Sequence, residues 1–442
     1  MTFNDLIDNN DMIKNLNNLG YKNPTPIQEK TLPFILNKQD VLAKAKTGSG
    51  KTAAFGLPLI LELDVKKRYE TSAIILTPTR ELADQVAKEL RRLAAYAENT
   101  KILTLCGGTP MRGQIQSMRH GVHIVVGTPG RVLALLKKES LNLDFIKTLV
   151  LDEADRMLDM GFFEDIEQII NFTPKKKQTL LFSATFDDKI LELSKSIQND
   201  RIEVEVEAQK STIQERFFKF DEDGLERAIQ CFKPETCIIF CNTKIKCSEI
   251  EERLQSKGYD ALSLNSDLEQ IDRDETLLEF THKSCTFLVA TDVAARGLDI
   301  PNVDLVINYD LPKGEEVYTH RIGRTGRMDK EGLAISFVKG YLEYIPDELE
   351  DSSSLHVKDF KSYQAKMTTL CIDGGKRDKI RAGDILGALI KEIGLDGKYI
   401  GKITINRKDS YVSIDKKYAQ ETFEKLKKSK IKKKALRVWM LS

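Results

Sequence analysis

A glycine-rich segment, Ala45–Thr52, contains residue types that bind phosphate groups. It follows a predicted strand and precedes a predicted helix. Its glycines let backbone N–H groups curl around phosphate oxygens, and the helix N-terminus adds a favourable potential. Lys51 would reach the β- and γ-phosphates of a nucleoside triphosphate, and the Thr52 hydroxyl would hold Mg²⁺. The predicted phosphate-binding residues are Ala45, Lys46, Thr47, Gly48, Ser49, Gly50, Lys51 and Thr52.

An acidic cluster, Asp152-Glu153-Ala154-Asp155, ends an apolar strand further along the chain. Open parallel sheets bind their ligands at the carboxyl ends of their strands. Asp152 would there bind Mg²⁺, directly or through water, and Glu153 would orient or deprotonate an attacking water. An acidic helix N-cap is the alternative interpretation. The phosphate-binding segment upstream favours a hydrolytic site.

Arginines spaced by three, with intervening glycines, occur in the segment His320–Arg327. Guanidinium groups match phosphate oxygens in geometry and charge. Supplied from a second domain, Arg324 and Arg327 would complete the site only when the domains close, as an arginine finger does. A surface basic cluster is the alternative for any one arginine, and it is a poor account of the whole set.

Predicted strands and helices, which could position these residues, alternate regularly over residues 40–340. Continuous apolar runs predict strands buried on both faces, and the helical patterns between them predict parallel sheets covered by helices. The runs of the first half are 40–45, 72–78, 101–108, 123–129, 148–155 and 178–185, and those of the second half are 236–243, 260–266, 286–292, 304–310 and 333–340. Two α/β domains are therefore predicted, over 1–208 and 209–346.

The remaining residues differ in pattern and in charge. An acidic, serine-rich linker over 347–366 precedes a β–α–β–β–α–β pattern over 367–442, which many small RNA-binding modules share. The chain has 68 Lys and Arg against 67 Asp and Glu. Residues 367–442 contain 19 basic and 9 acidic residues, which gives +10 against −9 for the rest. This asymmetry indicates an anionic partner, nucleic acid above all, with a solvated lysine-rich face as the alternative.

Composition argues against several other classes of protein. No apolar run approaches the ~20 residues that cross a bilayer. The N-terminus is acidic and lacks a signal-peptide pattern, so we expect a cytoplasmic protein with no membrane association. Seven cysteines are too few for a disulfide framework. Four of them, Cys231, Cys237, Cys241 and Cys247, lack the spacing of a zinc site, and buried thiols are the better interpretation.

The motifs, in their order along residues 1–340, resemble those of the DEAD-box ATP-dependent RNA helicases. The resemblance implies an α/β fold with two tandem RecA-like domains that bind ATP, Mg²⁺ and RNA and locally separate short duplexes. Phe3 and the segment 20–28 are similar to the family's adenine-reading segment. The Gln28 amide could pair with donor and acceptor groups of adenine. By the same resemblance, one carboxylate of the second domain faces the ribose or metal and two arginines face the γ-phosphate: Asp299, Arg324 and Arg327.

Further motifs resemble the family's RNA contacts and its coupling segment. Segments 78–82, 107–108 and 128–131 are similar to the RNA-backbone motifs of the first domain, and 241–243 and 290–299 to those of the second. The residues that the resemblance implies in RNA binding are Arg80, Gly107, Gly108, Thr128, Arg131, Thr243, Thr291 and Arg296. The residues implied in coupling hydrolysis to strand separation are Ser183 and Thr185. One departure is Asn265-Ser266-Asp267 where many relatives have His-Gly-Asp, which removes easy access to positive φ.

Residues 367–442 resemble the C-terminal RRM-like domain of the DbpA-type helicases, bacterial proteins that use it to grip large-subunit ribosomal RNA during ribosome assembly. Only one aromatic residue, Tyr411, falls on the strands that usually stack bases, so phosphate contacts are expected instead. The candidates are Lys376, Arg377, Lys379 and the run Lys430 to Lys434.

The resemblance predicts a monomeric ATP-dependent RNA helicase whose partners are large-subunit ribosomal RNA and pre-ribosomal particles. Two alternatives stay open. One is a non-catalytic RNA-binding scaffold, against which the intact Lys51, Asp152, Glu153 and Arg324 argue. The other is a DNA translocase of the same superfamily, which the adenine-reading segment together with the acidic motif disfavours.

Overall fold

A computed structural model describes the chain except residues 46–47, 68, 98, 207–212, 266, 296–301, 327–330, 358–360, 433 and 442, and except the side chains of Val293 and Ala295. The described residues form two compact units, one within residues 1–206 and the other from residue 213 onwards. They contain two parallel sheets and a C-terminal antiparallel sheet, so the predicted fold class is confirmed. The domain boundaries at 208, 346 and 366 stay predictions.

The first unit is a parallel sheet covered by helices. The strands in its described residues are β1 (Val41–Lys44), β2 (Ala73–Leu76), β3 (Ile102–Leu105), β4 (Ile124–Gly127), β5 (Thr148–Asp152), β6 (Gln178–Ser183) and β7 (Ile202–Glu205). They pair in the order β3-β4-β2-β5-β6-β1-β7. The helices are α1 (Phe3–Leu6), α2 (Asn10–Asn18), α3 (Pro26–Leu36), α4 (Lys51–Leu61), α5 (Arg80–Leu93), α6 (Met111–Met118), α7 (Pro129–Lys137), α8 (Ala154–Asp159), α9 (Phe163–Asn171) and α10 (Asp188–Ile197).

Alternate residues of these strands enter two different hydrophobic cores. In β6, Leu180 and Phe182 pack on one face of the sheet, and Leu181 packs on the other. Both faces are covered, which explains why the strands are continuous apolar runs. The edge strand β7 is different, because its exposed glutamates alternate with apolar residues, and the run pattern does not predict it.

The second unit begins with another parallel sheet. The strands in its described residues are β8 (Ile213–Lys219), β9 (Cys237–Phe240), β10 (Ala261–Leu264), β11 (Phe287–Ala290), β12 (Leu305–Asn308) and β13 (Gly332–Val338). Their order is β10-β11-β9-β12-β13-β8. The helices are α11 (Gly224–Phe232), α12 (Lys244–Ser256), α13 (Gln270–Thr281), α14 (Asp292–Ala295) and α15 (Glu315–Ile322). Cys237, Cys241 and Cys247 are buried in this domain and Cys231 is exposed.

The second unit ends with an antiparallel sheet that carries helices on one face. Its described strands are β14 (Met367–Ile372), β15 (Ile400–Ile405), β16 (Ser410–Asp415) and β17 (Val438–Met440), in the order β15-β16-β14-β17. Helix α16 (Ala382–Gly387) continues as a π-helix (Ala388–Glu392), and α17 (Lys416–Lys428) follows β16. In the described part of the chain, no helix is long and apolar enough to cross a membrane.

The other face of the antiparallel sheet contacts the end of α13 and the residues that follow it. Leu278 of α13 packs with Cys371, Tyr411 and Leu441 of the C-terminal domain. His282 Nε2 lies 2.8 Å from the Thr404 hydroxyl oxygen. The helix-free face is therefore used, at these three residues, for packing within the unit.

A buried carboxyl group, Glu279, lies beside this contact on α13. Its side chain is 6% exposed. Burial, together with the carboxylates of Glu275 and Asp260, raises its pKa from 4.5 to about 7. Between those values the folded chain keeps a proton that the unfolded chain releases. Stability is therefore lost as the pH rises from about 4.5 to about 7.

We predict that Glu279→Gln removes this pH dependence. At pH 8 the variant should be more stable than the wild type by about 1 to 3 kcal/mol, because the amide need not ionise. Near pH 4.5 the two proteins should be equally stable. Denaturant unfolding across this pH range measures the difference, and Glu252→Gln, at an exposed position of α12, is the control. An unchanged pH profile in Glu279→Gln would contradict the assignment.

Candidate active site and RNA interface

The predicted phosphate-binding loop connects β1 to α4 at the carboxyl edge of the first sheet. Gly48 and Gly50 have φ of +86° and +95°, a region that favours glycine. A Cβ atom on Gly50 would lie 2.5 Å from Gln28 Nε2, so only glycine fits there. Two of the predicted residues, Lys46 and Thr47, lie outside the described residues. The others, including Ala45, Ser49 and Thr52, are in the loop or the first turn of α4.

Polar atoms around the loop are buried without hydrogen-bond partners. The Lys51 ammonium lies 3.8 Å from Asp152 Oδ1, and both side chains are nearly inaccessible to solvent. Among the described residues, neither of these two atoms nor Ser49 Oγ has a hydrogen-bond partner. Such atoms cost stability unless a ligand satisfies them. The set fits a triphosphate at Lys51 and Ser49 and a hard divalent cation at Asp152.

Burial sets the protonation of the proposed metal ligand. It raises the pKa of Asp152 to about 6, with the nearby Lys51 ammonium opposing the increase. Near neutral pH the carboxyl group is therefore mostly ionised. A bound cation would favour the ionised form further.

Glu153, the predicted base, occupies a strained position at the start of α8. Its φ of 54° and ψ of 53° are left-handed, which costs roughly 1–2 kcal/mol for a residue with a side chain. Arg156 Nη1 donates to Glu153 Oε2 at 2.7 Å, and both side chains are buried. Sequence reasoning did not single out Arg156, although it directly follows the acidic motif.

Asp155 connects the acidic motif to the predicted coupling segment. Its Oδ2 accepts hydrogen bonds from the backbone N–H groups of Ala184 and Thr185, at 2.8 and 3.3 Å. The Ser183 hydroxyl also accepts from Thr185 N at 3.4 Å. A shift of the acidic motif would therefore directly move the backbone of Ser183–Thr185.

The predicted adenine-reading segment is tied to the phosphate loop. Gln28 is 1% exposed, accepts from Thr25 N at 2.9 Å and donates to the Gly50 carbonyl at 3.0 Å. Phe3 is 4% exposed and packs edge-to-face against Tyr21. The roles of Phe3 and Gln28 toward adenine stay predictions.

The predicted RNA contacts of the first unit lie on one edge of its sheet. They follow the carboxyl ends of β2, β3 and β4, which parallel pairing places side by side. The Arg80 guanidinium covers Gly108, where a Cβ would lie 1.6 Å from Nη2, and its Nε and Nη1 are buried without partners in the described part of the chain. Arg131 donates to the Thr109 carbonyl at 3.0 Å. Gly107 directly precedes Gly108, and Thr128 lies three residues before Arg131.

In the second unit, several motif residues contact Arg321, an arginine to which the sequence analysis assigned no separate role. Arg321 is 2% exposed and makes two bonds to the Asp292 carboxylate, at 2.6 and 2.7 Å. Its Nη2 also donates to Asn242 Oδ1 at 2.9 Å. This network fixes the ends of β9 and β11, next to Thr243 and Thr291. The only sequence signal for Arg321 was its place in the repeated arginines of the segment His320–Arg327.

Of the other predicted residues of this unit, some are described by the structure and some are not. Arg324 is buried at 5% exposure. Asn265, at the departure from the family pattern, accepts from Asp267 N at 3.0 Å and so forms a local turn. Predicted residues outside the described residues are Ser266, Arg296, Asp299 and Arg327.

The basic segments of the C-terminal domain meet along one rim. Lys376 N donates to the Asn406 carbonyl at 2.9 Å, which joins the loop after β14 to the turn between β15 and β16. Lys434 Nζ bonds Asp378 at 3.0 Å and joins the segment after α17. We call the exposed side chains of these segments the basic rim: Lys376, Arg377, Lys379, Arg407, Lys408, Lys432 and Lys434. Arg407 and Lys408 join it through the fold, and sequence reasoning missed them.

Comparisons with known proteins agree with this arrangement. Family models match residues 25–193 (DEAD/DEAH box helicase), 221–329 (helicase conserved C-terminal domain) and 369–440 (DbpA RNA binding domain). The chain is 47% identical to the ATP-dependent RNA helicase DbpA of Escherichia coli over 97% of each chain, and 36% identical to that of Bacillus subtilis over 97% of each. A structure of Saccharomyces cerevisiae Dbp5 bound to RNA and ADP BeF3 is similar with a TM-score of 0.69 at 30% identity, covering 82% of this chain and 95% of that one.

Proposed function

The chain belongs to the DEAD-box ATP-dependent RNA helicases with a DbpA-type RNA-binding domain, and on that premise we propose that it remodels short duplexes of large-subunit ribosomal RNA during ribosome assembly. The observation that carries the proposal is the basic rim on a domain of this type. Pre-ribosomal particles in the cytoplasm are the proposed partners, and one copy is proposed to act alone.

The proposed hydrolytic centre uses the buried groups of the first unit. Lys51 binds the β- and γ-phosphates. Thr52 and Asp152 would hold Mg²⁺, which would neutralise negative charge on the phosphates. Water attacks the γ-phosphorus while the bond to the β–γ bridging oxygen breaks, and the water proton passes to the Glu153 carboxylate. The products are ADP and phosphate. Arg324 and Arg327 are the proposed γ-phosphate ligands from the second domain, and Asp299 the ribose or metal ligand.

The proposed path from hydrolysis to RNA runs through Asp155. Its bonds to Ala184 N and Thr185 N connect the turn that carries Glu153 with Ser183–Thr185. The RNA itself would be held by its sugar–phosphate backbone, which carries little sequence information. The proposed contacts are Arg80, Gly107, Gly108, Thr128, Arg131, Thr243, Thr291 and Arg296.

Recognition of a particular RNA is assigned to the C-terminal domain. An RRM usually stacks bases on the helix-free face of its sheet. Here Cys371, Tyr411 and Leu441 of that face pack against Leu278. The basic rim lies on exposed loops instead, where its side chains can reach phosphates and the edges of nearby bases. This supports RNA binding at the rim, including Lys376, Arg377 and Lys379.

We predict that Glu153→Gln separates binding from hydrolysis. The amide keeps the size of the side chain and can still accept a hydrogen bond from Arg156, but it cannot take a proton from water. ATP and RNA should bind, turnover should fall at least about 100-fold, and RNA should dissociate more slowly than from the wild type with ATP. RNA-stimulated ATPase and RNA dissociation rates measure these effects, with Glu164→Gln on the exposed side of α9 as control. Wild-type turnover in Glu153→Gln would refute the proposed base.

We also predict that the basic rim directs the enzyme to large-subunit ribosomal RNA. A triple variant, K376A/R407A/K408A, should weaken binding to a large-subunit ribosomal RNA fragment and reduce the slope of log K against log[salt] by about 0.7–0.9 for each lost phosphate contact. The preference for that fragment over unrelated RNA should fall as well. ATPase activity at saturating generic RNA should not change.

The control removes the same charge from helical positions of the same domain. K391A/K417A/K425A changes three exposed lysines outside the rim. Equal losses in both triple variants would show that overall charge, rather than the rim, holds the RNA. Substitution is preferable to deletion of the domain, which would uncover Leu278.

A further inference from the structure

Arg156 is a buried cation whose role in the reaction is unassigned. It lies in the first turn of α8, is 3% exposed and contacts Glu153 at 2.7 Å. The Glu153 side chain is equally buried. An ion pair that is shielded from water has one favoured geometry, unlike a surface pair that exchanges with solvent.

The charged groups around the site are paired in a specific way. Three carboxylates occur within four residues, and each faces a different partner. Asp152 faces Lys51 at 3.8 Å, Asp155 accepts the N–H groups of Ala184 and Thr185, and Glu153 accepts from Arg156. Arg156 therefore serves the predicted base, while the cation of the phosphate loop serves the metal ligand.

The Arg156 guanidinium is not satisfied by this pair alone. Its Nη2 is buried and has no hydrogen-bond partner in the described part of the chain. A buried donor in this condition destabilises the fold by about 1–3 kcal/mol. Glu153 also has a left-handed backbone at φ 54°. Two unfavourable features at one turn are hard to explain by stability and are typical of a functional site.

We infer that Arg156 is a positioning residue for ATP hydrolysis, which anchors one oxygen of Glu153 and so fixes the direction in which the carboxylate meets the attacking water. This inference rests on the proposed role of Glu153. Without the anchor, the carboxylate could rotate about its side-chain bonds, and productive contacts with the water would become rare. ATP binding does not depend on this anchor, because Lys51 and the loop amides bind the phosphates.

A double-mutant cycle in the full-length protein tests the inference. Arg156→Gln should lower RNA-stimulated kcat by about 10- to 100-fold and change the KM for ATP by less than about threefold. Arg156→Lys keeps the cation and should recover much of the loss. Adding Arg156→Gln to Glu153→Gln should change the residual kcat by less than about twofold, because both act on one group.

Controls separate this role from a purely structural one. Arg92→Gln removes the exposed Glu89–Arg92 pair, which has the same three-residue spacing on α5 at 2.6 Å, and should leave kcat unchanged. If Arg156→Gln does not fold, Arg156→Lys and the double variant, in which no carboxylate is left unpaired, decide the outcome.

Several results would overturn the inference: a normal kcat in Arg156→Gln, a rise in KM that matches the fall in kcat, or a further full loss when Arg156→Gln is added to Glu153→Gln. If Glu153→Gln itself turns over normally, the proposed base fails first. If Glu153→Gln is inactive while Arg156→Gln is normal, only the inference about Arg156 fails.

Discussion

The Lys51 ammonium and Oδ1 of Asp152 face each other 3.8 Å apart, buried and, among the described residues, without hydrogen-bond partners. This arrangement is unfavourable in the ligand-free chain, so the surrounding structure must hold it in place. The two groups stand at the start of α4 and the end of β5, strands and helices that are buried on both sides by apolar side chains. The hydrogen bond that Gln28 donates to the Gly50 carbonyl holds the residue directly before α4. The sheet thus supports a buried charged site, to which the proposed triphosphate would bind.

Each further group of the first unit builds on that site. Glu153 follows Asp152 and has a left-handed backbone, and Arg156 donates a hydrogen bond to its side chain. Asp155 connects the same turn to the backbone of Ala184 and Thr185 by two hydrogen bonds. In the second unit, Arg321 performs a comparable task by joining Asn242 and Asp292. The C-terminal domain uses part of its helix-free sheet face for packing and leaves its basic loops exposed. Short buried contacts therefore determine which surfaces remain for ligands.

The sequence predicted those parts of the structure whose signal is local. Apolar runs predicted the central strands because both faces of each sheet are buried. They failed for β7, where glutamates alternate with apolar residues, and for β8, where three consecutive polar residues interrupt the strand. Motif spacing pointed to Lys51, Asp152 and Glu153. The contacts of Arg321 and the position of Arg407 beside the loop after β14 could not be predicted, since they depend on distant segments that only the fold brings together. For the same reason, the packing of Leu278 against the C-terminal domain has no signature in the sequence.

The central claim is that the Lys51–Asp152 pair is kept for its ligand at a cost to stability. Unfolding of a ligand-free Lys51→Met/Asp152→Leu double variant by denaturant, compared with the wild type, tests it most directly. Replacing a buried charged pair with apolar residues of similar size is often neutral or stabilising by about 1–4 kcal/mol. The account predicts a variant that is at least as stable as the wild type and binds no ATP. A variant that is clearly less stable, or that still binds ATP, would contradict it.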